Sequence, residues 1–238
     1  MQIHNIAEAL DEKYRIIEQA RAYEAEDITP ENYAIDDPET VEHSTLIWVT
    51  KELSDLCEIV ALTLPQDYQP QPADFGILPK ELFICFAGRE QDNVWYIVND
   101  DKGERNGTPE VEYASWTATR DEAWGWLTAT FEYGDRLDSW DDPAPEGFNM
   151  FWAFILLVNQ KLTTTFQERA PRNVRRRHKE EPYPVLVVTL RRLIARDSDH
   201  EETTTEWSHR WLVNGHWRSQ WYPSDMRHAP IFIAAYVK

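Results

Sequence analysis

The sequence predicts an α+β fold that has N-terminal helices, a small central antiparallel meander, a long buried helix and a C-terminal four-stranded antiparallel sheet. Three observations predict this class. Apolar residues recur at helical spacing near the N-terminus, the run 151–158 is apolar almost all round, and the last 55 residues hold four strand-like runs joined by short loops. A chain of 238 residues can bury a substantial core. We expect one cooperative unit, with a helical part at 1–64, an α+β part at 80–238 and a β-rich region at 183–238.

The N-terminal elements follow from the spacing of apolar side chains. Between Ile3 and Arg21 these side chains recur at steps of three and four residues, which predicts the first helix. The same spacing from about Val41 to Leu62 predicts a second helix, and Pro65 ends it. The acidic stretch 24–42 and the proline-rich stretch 65–79 have no period, so both are predicted to be connectors.

The central elements begin with three strand-like runs. Leu82–Ala87, Val94–Val98 and Val111–Thr117 predict the antiparallel meander, and the turn-forming residues 100–103 lie between the last two.

Two helices are predicted after the meander. The sequence Thr119-Arg120-Asp121-Glu122 has the form of a capping box and predicts a helix start there. A long helix is predicted from Glu146 to about Glu168, and its segment Phe151–Val158 should be the central buried helix because it is apolar nearly all round.

The C-terminal sheet is predicted from the runs Val185–Arg192, Trp207–Val213, His216–Tyr222 and Ile231–Val237. Asn214-Gly215 stands between the middle two runs and favours a type I′ hairpin, since both central residues of that turn need positive φ. Such a turn fixes the register. One face of the hairpin would then carry His209, Trp211, Val213, His216, Arg218 and Gln220.

This hairpin face is the first candidate site. Trp211 and Arg218 would be directly paired, so they can stack and present a flat cation to a phosphate or a base, with Gln220 beside them. The alternative is that the aromatic residues pack the sheet and the polar groups satisfy one another at a solvated edge. No metal site is predicted, because His209 and His216 lie diagonally and no carboxylate accompanies them.

The run Arg169–Lys179 is the second candidate site. Its phosphate-binding candidates are Arg172, Arg175, Arg176, Arg177 and His178. The alternative is a solvated helix end, or a tether held by the acidic region. Arg172 and His178 also have an Arg-to-His spacing that resembles the helical ribonucleases of toxin and defence systems.

The charge and the cysteine content limit the possible partners and the cellular compartment of the protein. The net charge of −18 disfavours generic nucleic-acid binding, yet residues 1–168 carry −23 and residues 169–238 carry +5. Cys57 and Cys85 lie in apolar runs, no secretory signal is present and no run is long enough to span a membrane. We therefore expect a reduced cytoplasmic protein. No Gly-rich phosphate loop or metal-binding motif is present, so no cofactor is predicted.

The C-terminal segment resembles an uncharacterised protein family of actinobacterial chromosomes, plasmids and phages. The shared residues are His209-Arg210-Trp211, Val213, Gly215-His216-Trp217-Arg218, Gln220, Tyr222-Pro223, Ile233 and Tyr236-Val237-Lys238. The resemblance covers about the last 30 residues well, and the rest of the chain only by the order of its segments. It implies association with mobile elements and no particular mechanism.

Three function classes remain open. The first is binding of nucleic acid or a phosphorylated ligand through the basic C-terminal sheet. The second is a metal-independent ribonuclease, in which His209 or His216 transfers protons and Arg218 stabilises the transition state. The third is a protein that acts on a host protein, with residues 8–42, which hold 12 acidic and 3 basic side chains, imitating a nucleic-acid surface.

Overall fold

A seven-stranded mixed sheet lies at the centre of the fold in the computed structural model of the chain. The structure describes residues 2–25, 42–65, 67–68, 74, 78–79, 81–89, 93–99, 110–117, 125–132, 148–178, 185–191 and 212–237. Within these ranges the α+β class predicted from the sequence is confirmed, and no helix is both long and apolar enough to cross a membrane.

The helices are α1 (Ile6–Ala25), α2 (Lys51–Ala61), α3 (Phe148–Val158) and α4 (Arg172–Arg177). The strands are β1 (Thr45–Val49), β2 (Glu81–Phe86), β3 (Asn93–Asn99), β4 (Glu110–Thr117), β5 (Gly125–Glu132), β6 (Thr163–Glu168), β7 (Val185–Leu190), β8 (Leu212–Val213), β9 (His216–Tyr222), β10 (Arg227–Ile233) and β11 (Tyr236–Val237).

The central sheet has the strand order β5-β4-β3-β2-β1-β7-β6. Strand β1 is parallel to both of its neighbours, and the remaining neighbours are antiparallel. The three predicted strands of the meander are present as β2, β3 and β4, and they pair in chain order.

Alternate side chains of the central strands face two separate helical layers. Ile47, Val49 and Ile84 pack with α2 and α3, and Leu46 and Cys85 pack with α1 and α4. Both cysteines are buried, as expected of small core residues. Helices α2 and α3 therefore cover one face of the sheet, and α1 and α4 cover the other.

Helix α1 carries a buried lysine. Lys13 is 3% exposed, and its Nζ donates hydrogen bonds to the backbone carbonyls of Glu42, at 3.1 Å, and Ser44. Burial lowers the pKa of Lys13 from 10.5 to about 7, although the neighbouring Cys85 and Glu42 oppose this change. The folded protein thus releases this proton at a lower pH than the unfolded chain does.

The buried Lys13 predicts a pH-dependent stability. Between about pH 7 and 10.5 the unfolded chain holds a proton that the folded protein has lost, so the free energy of unfolding should rise with pH in this window. Chemical denaturation of the wild type and of Lys13→Met at several pH values measures this. The difference between them should increase by roughly 1 kcal/mol per pH unit, the scale of one proton. A difference that is flat with pH would contradict the prediction.

The second predicted helix, over 41–62, is wrong in its first part. Thr45–Val49 forms strand β1, and the helix begins only at Lys51. The residues from Leu46 to Val49 are all buried, because a strand that lies between two parallel neighbours is covered on both faces. The apolar residues at helical spacing therefore belonged to two different elements.

The helix predicted to start at Thr119 is also not found where the structure describes that region. Residues 119–122 lie outside the described ranges, and Gly125–Glu132 forms strand β5, paired along its length with β4. Leu127 and Phe131 are four residues apart, a spacing that a helix face and a strand face share. Pairing with β4 thus overrides the local helix signal.

The long helix predicted to reach Glu168 ends at Val158. Its apolar segment 151–158 is fully buried, as predicted. Side chains that follow the helix donate to its last carbonyl groups: Asn159 Nδ2 donates to the Ile155 carbonyl at 3.0 Å, and Thr163 Oγ1 donates to the Val158 carbonyl at 3.0 Å. Three successive threonines then begin β6, since β-branched side chains favour a strand.

The predicted C-terminal four-stranded sheet is replaced by another arrangement. Strand β7 belongs to the central sheet, while β9 pairs with β10 and β8 pairs with β11 in two separate antiparallel pairs. Strand β7 reads Val-Leu-Val-Val-Thr-Leu, and this continuous apolar sequence suits a strand that is buried inside a sheet.

Candidate ligand-binding surfaces of the C-terminal ribbon

Strands β9 and β10 form a two-stranded ribbon, called here the C-terminal ribbon, which is anchored on α2 and α3. The indole Nε1 of Trp217 donates to the Val60 carbonyl at 3.2 Å, and the Trp217 and Phe232 rings meet edge to face with centroids 5.5 Å apart. The backbone N–H of Phe232 donates to Gln160 Oε1 at 3.2 Å. These contacts fix which face of the ribbon points to the core and which points away.

The turn predicted at Asn214-Gly215 is wrong. Neither residue has a positive φ, and Val213 pairs with Tyr236 instead of His216. Gly215 has a different function, because a Cβ at this position would lie 2.6 Å from Cζ of Phe232. The glycine therefore provides space for the Phe232 ring rather than a left-handed turn.

Gly215→Ala should test this interpretation. The added methyl group overlaps the Phe232 ring, so the free energy of unfolding should fall by roughly 1–3 kcal/mol, the usual cost of overpacking. Thermal and urea unfolding measure the loss. Adding Phe232→Leu to Gly215→Ala should recover part of the lost stability, because the smaller side chain leaves room for the methyl group. If the double variant loses as much free energy of unfolding as the two single variants together, the steric explanation is wrong.

The face of β9 that carries Arg218 keeps part of the predicted constellation. His216, Arg218 and Gln220 alternate along the strand and so lie on the same side, which is called here the Arg218 face. Arg218 Nη2 donates to Gln220 Oε1 at 2.6 Å, and a His216 Nδ1 contact to the Asn214 carbonyl measures 2.9 Å. Arg218 is exposed and has no ion pair with any described residue. His209 and Trp211 lie outside the described residues.

Some residues of the basic run Arg169–Lys179 contact an acidic side chain of α1, and others form no ion pair with any described residue. Arg177 and His178 both contact Asp11 of α1, with His178 Nε2 at 3.3 Å from Asp11 Oδ1, and the His178 ring stacks on Tyr14 at 3.7 Å between centroids. For these two residues the structure matches the tether alternative. Four members of the run are exposed and form no ion pair within the described part of the chain: Arg169, Arg172, Arg175 and Arg176.

The structure does not bring the two predicted sites together. Helix α4 packs through Val174 against the α1 side of the sheet, whereas Trp217 and Phe232 of the ribbon pack against the α2 and α3 side. The basic run and the Arg218 face are therefore two separate surfaces. Of the acidic stretch 8–42, residues 26–41 lie outside the described ranges, so its interpretation as a nucleic-acid mimic stays a prediction.

A cleft of about 600 Å³ opens between the ribbon and the loop that follows α2. We call it the Trp217 cleft, and its lining is Pro65, Asp67, Tyr68, Trp217, Ser219, Asp225, Arg227, His228, Ala229 and Pro230. Within it Ser219 Oγ lies 3.2 Å from Nδ1 of His228, whose ring is 5.0 Å from that of Trp221.

A buried polar network closes one wall of the Trp217 cleft. Arg227 donates from Nη2 to Asp74 Oδ1 at 2.8 Å and from Nη1 to the Tyr68 hydroxyl at 3.3 Å, and the Tyr68 hydroxyl donates to Asp74. Burial, helped by the Asp74 charge, raises the pKa of Tyr68 well above its usual value. Burial by itself lowers the pKa of Arg227, but the hydrogen bonds to Asp74 and Tyr68 raise it overall. The guanidinium and the carboxylate thus form a paired charge that is largely removed from solvent.

Sequence patterns gave no signal for this cleft. Tyr68 and Asp74 lie in the proline-rich stretch predicted to be a connector, and they are 153 residues or more from Arg227. Ser219 lay on the hairpin face opposite the predicted one.

Comparisons with known proteins add little. No family model matches the chain, and no similar protein was found among the curated ones. Among solved structures, the chain is similar to one titled "Crystal structure of AcrVA2", with a TM-score of 0.46 and 12% identity over 81% of this chain and 70% of that chain. A similarity of this size carries no conclusion about function.

Proposed function

We propose that the chain is a mobile-element-associated protein that binds nucleic acid or another phosphorylated ligand through the Arg218 face. The observation that carries the proposal is the exposed Arg218 guanidinium, which is positioned by Gln220 and has no carboxylate partner among the described residues. Guanidinium groups that are not already paired bind phosphate oxygens well, because their donors match the phosphate geometry.

Local charge at the Arg218 face rests on Arg218 itself. Residues 169–238 carry +5, but the run Arg169–Lys179 supplies this excess on the other side of the sheet. The resemblance of the last 30 residues to plasmid and phage proteins includes His216, Arg218 and Gln220, which is the described part of the Arg218 face.

Arg218→Ala should weaken binding of single-stranded and double-stranded oligonucleotides and lower the salt dependence. Loss of one phosphate contact should reduce the slope of log K against log salt by about 0.7–0.9. Fluorescence anisotropy at several salt concentrations measures both quantities. Arg176→Ala is the matched control, since Arg176 is an exposed arginine on the other side of the sheet and should leave binding unchanged.

Comparing the two variants also shows which of the two basic surfaces binds the ligand. If Arg176→Ala weakens binding and Arg218→Ala does not, the ligand binds at α4 and the Arg218 face is the wrong surface. If the wild type binds neither oligonucleotides nor inorganic phosphate, the proposal fails altogether.

One observation favours a second candidate, the metal-independent ribonuclease. His216 and Arg218 lie two residues apart on the same face, roughly 7 Å along the strand, so a proton-transfer group and a cation can reach one phosphodiester. A quenched fluorescent RNA incubated in EDTA tests it. Cleavage by the wild type that is lost in His216→Ala would support the ribonuclease, and intact RNA would exclude it.

A further inference from the structure

The Trp217 cleft lies on the side of the ribbon that faces α2, and it has a different charge from the Arg218 face. Its volume of about 600 Å³ is within the range of sites that hold small ligands or single side chains. Apolar groups and polar groups both contribute to the lining, so the cleft can bury a ligand and also orient it.

The charges that a ligand would meet in this cleft are mainly negative. Arg227 is already paired with Asp74 and Tyr68, and its buried Nε lies 4.0 Å from Oδ2 of Asp225, so acceptors of this protein already surround the guanidinium. Two other carboxylates line the cleft, those of Asp67 and Asp225, and both residues are exposed. A phosphate or carboxylate ligand would meet these carboxylates, and the arginine among the described lining residues is already paired.

The aromatic and apolar walls of the cleft suit a cation that is attached to an alkyl chain. The Trp217 ring is held in place by the hydrogen bond to the Val60 carbonyl, and an indole face is the side-chain surface that attracts cations most strongly. Pro65 and Pro230 also line the cleft and offer an apolar surface to the methylene groups of a long side chain.

From this combination we infer that the Trp217 cleft binds an ammonium or guanidinium group, carried either by a small amine or by a Lys or Arg side chain of another polypeptide. Asp67, together with Asp225, whose Oδ2 also lies 4.0 Å from Nε of Arg227, would neutralise the cation, and Trp217 would contact it. This site is separate from the Arg218 face, and it does not depend on the function proposed for that face.

Titration followed by NMR tests the inference. The indole N–H of Trp217 is a local reporter, and its signal is assigned by its absence in Trp217→Phe. Spermidine and N-acetyl-arginine amide are the two cationic probes, and inorganic phosphate is the anionic one. Spermidine binding alone would indicate a free amine, whereas binding of the arginine derivative alone would indicate a basic side chain. Either result supports the site.

Variants of the two carboxylates make the test specific. Asp67→Asn combined with Asp225→Asn should weaken binding of the cationic probe about tenfold, the combined effect expected of two exposed charge contacts. Glu168→Gln, an exposed carboxylate on β6, is the matched control and should not change binding. The inference is overturned if neither cation shifts the Trp217 signal, if phosphate binds in the cleft more tightly than the cations, or if the folded double variant binds as the wild type does.

Discussion

Asp74→Asn should lower the free energy of unfolding by about 3–5 kcal/mol, the usual cost of removing one partner from a buried ion pair. Asp74 is 5% exposed and binds both Arg227 and the Tyr68 hydroxyl. The neutral amide keeps the shape of the side chain but leaves the guanidinium of Arg227 with only Asp225, 4.0 Å from its Nε, as a counter-charge. Urea denaturation followed by tryptophan fluorescence measures the loss.

Asp67→Asn is the matched control for this prediction. It is the same substitution in the same loop, but Asp67 is exposed, so the free energy of unfolding should change by less than about 0.5 kcal/mol. Equal losses in the two variants would mean that the network does not hold the ribbon to the loop. Replacing the pair together, Asp74→Leu with Arg227→Met, should cost less than Asp74→Asn alone, because neither charge is then left unpaired.

Phe154→Ala should lower the free energy of unfolding by about 3–5 kcal/mol, as expected for a large aromatic side chain removed from a core. Phe154 is fully buried at the centre of α3, and its ring meets that of Phe86 of β2 edge to face with centroids 5.8 Å apart. The substitution leaves a cavity between the helix and the sheet. Because α3 is covered on all sides, its neighbours cannot move in to fill that cavity.

Phe166→Ala provides the comparison, because Phe166 of β6 is 48% exposed and its loss should cost less than about 1 kcal/mol. Differential scanning calorimetry of both variants gives the two values. If the two substitutions lower the free energy of unfolding by the same amount, α3 is not the central buried helix of the fold.

Local patterns were enough to predict several elements. Helix α1, the strands of the meander and the buried segment of α3 each show one dominant period or one continuous apolar run that only one element type explains. The strands of the meander also pair with their sequence neighbours, so tertiary contacts there reinforce the local preference.

The elements that the sequence did not predict depend on distant partners. Strand β1 looked helical because its apolar residues continue into α2, and its strand state comes from pairing with β7, far along the chain. Strand β5 carries Leu127 and Phe131 at a spacing common to both element types, and β4 decides between them. Gly215 resembled a turn glycine, but a glycine is required there because the Phe232 ring leaves no space for a side chain.

The candidate sites were predictable to different degrees. Alternation along a strand was sufficient to place His216, Arg218 and Gln220 on one face, because this requires only that the strand exists. The Trp217 cleft needs the contact of Arg227 with Asp74, and no rule of local spacing connects residues so far apart. Pairing of Arg177 with an acidic residue was one of the alternatives left open, and the contact with Asp11 depends on the packing of α4 on α1.

The position of β1 in the sheet has a consequence for synthesis on the ribosome. Trp48 pairs with Val187, so one edge of this central strand stays open while roughly 140 further residues are translated, which takes about 10–30 seconds at ordinary elongation rates. During that interval a nascent chain exposes an apolar edge, Leu-Ile-Trp-Val, that can pair with another nascent chain. Productive folding is therefore expected mainly after release of the full chain, and holding chaperones should improve its yield.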